Sequence, residues 1–255
     1  MFARYVALGD SMTEGLNDGS ETAGYRGWAD RLADHLAELN PDLLYANLAV
    51  RGRLAAGVRE EQLGAALALE PDLVTVVAGM NDLLRPSFDA AATAGHLEAM
   101  FAAFAAAGAR VATTTFPDIA KLVPAARRLS PRVVALNEQI RVAAARHDVT
   151  VFDTFTFAAG TDPRLWSPDR IHASPEGHAR IAAGMAHALG LPGADAHWDA
   201  PLPDRPPTTL TLRAQTEVAW LRTFLLPWVG RRLAGKSSGD GRVAKRPTLV
   251  RVLED

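Results

Sequence analysis

The chain contains no cysteine. This excludes disulfides, thiolate metal sites and a cysteine nucleophile. No uninterrupted apolar run is long enough to span a bilayer. The N-terminus shows no basic segment followed by a long apolar stretch, so a cytoplasmic location is the expectation. Charge of one sign is also lacking: the net charge is −2, which gives no electrostatic footprint for nucleic acid, and no such partner is expected. His35, His96, His147, His187 and His197 show no ligand-like spacing, so no metal site is expected from them. No internal repeat is present. What remains is a 255-residue chain, 48% hydrophobic and 22% charged, ordinary for one or two globular domains.

Periodicity divides the chain into alternating strands and helices. Arg4 to Gly9 is a short apolar run with the content of a buried strand, and it stops abruptly at Gly9-Asp10-Ser11. A polar loop reaches Gly24. Trp28, Leu32, Leu36 and Leu39 then recur at helical spacing until Asn40-Pro41. Further strands are expected over 43–50, 73–78, 111–116 and 149–152. Helices are expected over about 54–69, 90–107, 131–146 and 174–190, the last capped by Ser174. Five strands alternating with helices imply a parallel sheet covered on both faces. Residues 191–208 read as a Pro-rich linker. Residues 209–255 read as a helix carrying Val218, Trp220, Leu221, Phe224, Leu225 and Trp228, ended or kinked by Pro227, followed by a basic flexible tail.

Chemistry gathers at the strand ends. In an open parallel sheet the carboxyl ends lie along one edge, where ligands bind. Ser11 follows the first strand. Gly52 follows the second in Asn47-Leu48-Ala49-Val50-Arg51-Gly52, and Asn81 follows the third in Gly79-Met80-Asn81-Asp82. After the fifth comes Ser167-Pro168-Asp169-Arg170-Ile171-His172. Asp169 stands three residues before His172, close enough to hold its Nδ1 side and leave Nε2 free to take a proton from Ser11. The Ser11 and Gly52 amides and the Asn81 side chain offer three N–H donors for an oxyanion. His178 is expected to cap or pack, Asp82 to accept in a turn, and Asp10 to shape its loop.

These four blocks together resemble the SGNH hydrolases, the GDSL-type esterases and lipases, over about residues 3–190. Met12 stands where the family name has Leu. The resemblance implies a three-layer α/β/α, flavodoxin-like fold with a five-stranded parallel sheet on residues 1–190. It implies Ser11 as nucleophile, His172 as base, Asp169 as its partner, and Ser11, Gly52 and Asn81 as oxyanion donors. It implies no cofactor and a small-molecule ester as substrate. Ser11 is not in a Gly-x-Ser-x-Gly elbow, which argues against the α/β-hydrolase fold.

Two alternatives stay open at this level. The same site could transfer an acyl group to an alcohol other than water. From Pro201 onward there are ten Lys/Arg against five Asp/Glu, so the C-terminal part is basic and the remainder carries −7. Residues 209–235 could therefore make a weak contact with an anionic membrane surface, as in a peripheral lipase or lysophospholipase. The expected outcome is that this helix docks on the hydrolase domain.

Overall fold

The computed structural model of the chain describes residues 1–204, 209–227, 230 and 237–252. Strand β1 (Arg4–Gly9) leads into the one-turn helix α1 (Ser11–Glu14). A small hairpin follows, β2 (Gly19–Ser20) and β3 (Gly24–Tyr25), then α2 (Trp28–Leu39). Strand β4 (Leu44–Asn47) precedes α3 (Ala55–Ala68), and β5 (Leu73–Val77) precedes α4 (Met80–Leu83) and α5 (Ala90–Ala106). Strand β6 (Arg110–Thr114) precedes α6 (Ser130–Arg146), and β7 (Thr150–Phe152) precedes α7 (Pro175–Ala188). Helix α8 (Leu210–Trp220) and strand β8 (Arg246–Arg251) complete the described chain.

The main sheet has the order β7-β6-β5-β1-β4-β8, with β1, β4, β5, β6 and β7 parallel. The expected five parallel strands are all present. The strand count differs by one, because β8 pairs antiparallel with β4 at the outer edge. Residues 246–251 were expected to lie in a flexible tail. Their side chains are exposed or half-buried and include Pro247, so no alternating apolar pattern marks them. The open edge of β4 supplies the pairing that the sequence does not advertise. Among the tail residues read as helical, Trp228 and 231–235 lie outside the described residues, as do 205–208 of the linker. A π-helical stretch covers Leu221–Leu225 just before Pro227, which has no N–H to give the preceding turn. Among the described residues no helix is long and apolar enough to cross a membrane.

The core lies on both faces of the sheet. Tyr5 of β1 stacks on Tyr45 of β4 with ring centroids 5.0 Å apart, and its hydroxyl meets Thr75 Oγ1 at 2.9 Å. Trp28, Leu32 and Leu36 of α2 are buried against one face; Leu97, Met100, Phe101 and Phe104 of α5 are buried on the other side of the same core.

Two buried side-chain amides bond both backbone groups of a residue at or just past the end of a strand. Gln62 of α3 accepts from Gly9 N and donates to Gly9 O, both at 2.9 Å. Asn137 of α6 treats Phe116 the same way, at 2.8 and 2.7 Å. Gly9 itself cannot be larger: a Cβ there would stand 2.5 Å from Val77 O and 2.6 Å from Thr13 Oγ1. Asn47 at the end of β4 donates to Thr13 O and to the Tyr45 hydroxyl, tying α1 to the sheet. The polar corner after β1 is thus held by groups that satisfy every backbone partner they touch.

Replacing Gln62 by Ala leaves the Gly9 N–H unpaired in a dry interior. Urea unfolding should show a loss of about 3 kcal/mol. A loss under about 1 kcal/mol would mean that water takes over both bonds.

Candidate active site

Ser11 is the first residue of α1, and Asp10 caps that helix by accepting from Met12 N at 3.2 Å. The hydroxyl of Ser11 stands 2.7 Å from His172 Nε2. On the far side of the ring, His172 Nδ1 lies 2.8 Å from Asp169 Oδ2. With Nδ1–H directed at the carboxylate, Nε2 presents its lone pair to Ser11. Four stretches far apart in the chain therefore meet at one strand-end cleft of about 190 Å³, which also holds Gly52 and Asn81.

The Asp169–His172 loop is built to hold that geometry. Asp169 Oδ1 accepts from the backbone N–H groups of Ile171 and His172, at 3.0 and 3.1 Å. Asn17 Nδ2 donates to Asp169 Oδ2 at 2.7 Å. Burial alone would raise the Asp169 pKa. The hydrogen bond and charge of His172, with the two backbone donors, outweigh burial and bring it down to about 2. Arg170, inside the loop, takes a left-handed φ of 62° that costs a non-glycine residue about 1 kcal/mol. Its guanidinium stacks 4.8 Å above the Trp220 ring and pairs with Glu217.

The opposite wall is the turn after β4. Gly52 has φ 77°, open to glycine at little cost. Among the described residues nothing accepts from the backbone N–H of Gly52 or of Ser11. The turn is fixed by Arg51, a nearly buried cation whose Nε donates to Glu14 Oε1 at 2.9 Å and whose Nη1 donates to Glu21 at 2.9 Å.

Asn81 is more committed than its sequence position suggests. Its Nδ2 donates to Asp10 Oδ2 at 3.0 Å and to Arg53 O at 3.1 Å. Asp10 is buried, and its pKa is pushed up to about 6, chiefly by desolvation, against the opposing pull of Met12 N–H and His172. Asp82 accepts from Ala55 N at 3.0 Å and so holds the start of α3. His178 is fully buried; its Nδ1 accepts from Trp28 N and its Nε2–H faces Leu16 O. Burial lowers its pKa to about 4, which keeps it neutral and structural.

Sequence reasoning missed Asn17, Gln62, Arg51 and Trp220. Asn17 sits at φ 72° in Asn17-Asp18-Gly19, a run that signals a turn but not its reach to Asp169. Beside the cleft runs an apolar cavity of about 60 Å³, bounded by Met12, Met80, Phe116, Phe157, Trp166 and Ile171. Among the described residues no cluster of His, Asp or Glu could hold a metal ion.

The fold recurs in solved structures. LAE5, an alpha/beta hydrolase enzyme from the metagenome of Lake Arreo, is 22% identical, with 74% of this chain and 95% of that chain covered and a TM-score of 0.61. The psychrotrophic esterase EstA from Pseudoalteromonas sp. is 19% identical, with 73% and 96% covered and a TM-score of 0.57. Axe2, an acetylxylan esterase from Geobacillus stearothermophilus, is 17% identical, with 76% and 97% covered and a TM-score of 0.61. No curated protein matches the chain in sequence. The sequence profile of the GDSL-like lipase/acylhydrolase family matches residues 7–180, more than half of the chain and all four strand-end blocks up to His172, and the chain belongs to that family.

Proposed function

We propose that the protein hydrolyses carboxylic esters through Ser11, His172 and Asp169. The observation that carries this reading is the continuous chain of contacts from Ser11 Oγ to His172 Nε2, and from Nδ1 to Asp169 Oδ2. Ser11 Oγ attacks the ester carbonyl carbon while its proton passes to His172 Nε2. The imidazolium so formed lies against the Asp169 carboxylate, which stays ionised at any working pH because its pKa is held near 2. The tetrahedral oxyanion takes hydrogen bonds from the Ser11 and Gly52 amides. Asn81 supplies the third by releasing Arg53 O, a neutral acceptor weaker than an oxyanion. His172 then protonates the departing alcohol. Water repeats the sequence on the acyl-enzyme: the acid leaves, and Ser11 regains its proton.

The apolar cavity bounded by Met12, Met80 and Ile171 opens beside Ser11 and takes the acyl part. Its walls are apolar, which suits the hydrocarbon part of an acyl group. Asp10 anchors Asn81 and the start of α1, acting on the oxyanion site through them.

Ser11→Ala should abolish hydrolysis of p-nitrophenyl acetate and labelling by a small alkyl phosphonate. Unaltered labelling would remove Ser11 from the scheme. EstA, a solved relative in fold, has been crystallised inhibited by monoethylphosphonate, which makes that probe a natural choice.

Asn81→Ala should slow turnover on the order of a hundredfold, with little change in KM. An equal loss in KM alone would assign Asn81 to ground-state binding instead.

Asp10 also predicts a pH dependence of stability. The folded protein keeps the Asp10 proton to about pH 6, whereas an unfolded aspartate loses it near 4. The folded state binds more protons across that window, so this group's contribution falls as pH rises through it, by about 3 kcal/mol in total. The depressed Asp169 acts with the opposite sign and only at lower pH, its contribution being lost as pH falls from about 4 to 2. Asp10→Asn should therefore remove a downward slope in unfolding free energy between pH 4 and 6. Parallel curves for the two proteins would contradict the buried, late-titrating carboxyl.

A further inference from the structure

The C-terminal part of the chain reaches the cleft from two sides. Phe224, just beyond α8, and Ser237 and Ser238, before β8, line the same cavity as Ser11 and His172. The contacts that hold them there are specific. Trp220 is buried, and its indole N–H donates to Asp169 O at 3.0 Å. Glu217 grips Arg170 in the strained loop. On the other side, a Cβ on Gly52 would stand 2.4 Å from Ser237 Oγ, and one on Gly239 would stand 2.0 Å from Arg51 O. Glycines on both partners therefore permit the close approach, Gly52 to the Ser237 hydroxyl and Gly239 to the Arg51 backbone. Arg242 binds Glu21, the same carboxylate that holds Arg51. Lys245 donates to Tyr25 O and Asp30, and β8 closes the edge of β4.

The direction of this wall decides what it meets. An ester held at Ser11 sends its acyl and alcohol parts to different sides of the carbonyl carbon. The apolar cavity lies toward β5, β6 and β7, where Phe116, Phe157 and Trp166 stand. The alcohol oxygen must stay within reach of His172 Nε2, so that part of the ester is held in the cleft itself, which Phe224 lines from the side of the Asp169–His172 loop and Ser237 and Ser238 line from the side of Gly52. Resting on the ester-hydrolase reading, we infer that Phe224 and the Ser237-Ser238 turn select the alcohol part of the ester, admitting small alcohols and excluding bulky ones. The wall lies beyond the part of the chain that the family profile matches. The neighbours in fold are covered to 95–97% while about a quarter of this chain finds no counterpart, and the family match ends at residue 180.

The test compares methyl butyrate with 4-methylumbelliferyl butyrate on the full chain, on Phe224→Ala and on Ser238→Trp. Taking each ester's kcat/KM relative to the native protein cancels the intrinsic reactivity of the two leaving groups. Phe224→Ala should raise the bulky-to-small ratio roughly tenfold, and Ser238→Trp should lower it by a similar factor. Circular dichroism and the unfolding midpoint identify any variant that fails to fold. Ser238 is exposed, so its variant decides alone if Phe224→Ala is lost. Unchanged ratios in folded variants, with Ser11 still labelled by the phosphonate, overturn the inference and leave the hydrolase reading standing. A native protein that neither reacts with the phosphonate nor cleaves methyl butyrate overturns the hydrolase reading itself.

Discussion

The cleft depends first on how β1 ends. A strand flanked on both sides by parallel neighbours must stop somewhere, and its last backbone groups then lack a partner. Here the Gln62 amide meets both polar groups of Gly9, in a place where a side chain on residue 9 would collide with Val77 and Thr13. The chain can therefore turn sharply inside the protein without orphaning the Gly9 N–H. Asp10 caps the helix that follows, and Ser11 emerges as its first residue, with an amide that no acceptor meets among the described residues and a hydroxyl pointed across the cleft. Every distance at the site is measured from that corner.

Much of this was legible in the sequence because the relevant signals are local. Short β-branched and apolar runs mark β1, β5 and β6, and each ends on a polar block whose residues need no partner to be recognised. The carboxylate and imidazole of Asp169 and His172 lie three residues apart, so one loop brings them together. The parts that escaped reading depend on distant chain. Asn17 reaches Asp169 across 152 residues, and Gln62 reaches Gly9 from a helix whose alanine-rich pattern gives no hint of a polar task. Strand β8 carries no periodic apolar face and exists because β4 offers an unpaired edge. The dual engagement of Asn81, by Asp10 and by Arg53, is likewise a property of convergence and not of its own block.

The basic C-terminal part shows how the same charge supports different expectations. From composition it allows contact with an anionic surface, while docking on a domain of opposite sign is the expectation. Folded, Arg242 lies on Glu21, Lys245 on Asp30 and Arg251 on Asp42. These cations meet the domain's own carboxylates, and each such exposed or half-exposed pair is worth only a fraction of a kcal/mol. Their number matters less than their placement, since Glu21 and Arg51 connect them to the turn that carries Gly52. Attachment of this segment comes instead from main-chain pairing at β8, from buried Trp220, and from close backbone approach at Gly239.

Two aspartates flank the cleft, and their surroundings drive them apart. Asp169 accepts from His172, from Asn17 and from two backbone N–H groups, and it is ionised down to about pH 2. Asp10 is buried more deeply with fewer donors, and its pKa rises to about 6. Opposed shifts within one cleft separate roles that composition alone cannot distinguish. In the proposed mechanism a carboxylate stabilises a transient imidazolium and has to be charged before the proton arrives, a condition that suits the depressed Asp169 better than Asp10. Asp10 has no such constraint. Its hydrogen bonds run to Met12 N and Asn81 Nδ2, so it orients donors directly and meets His172 only through charge at a distance. The opposed shifts of the two acids thus follow from how deeply each is buried and how many N–H groups each one faces, which depend on the fold and could not be taken from either residue alone.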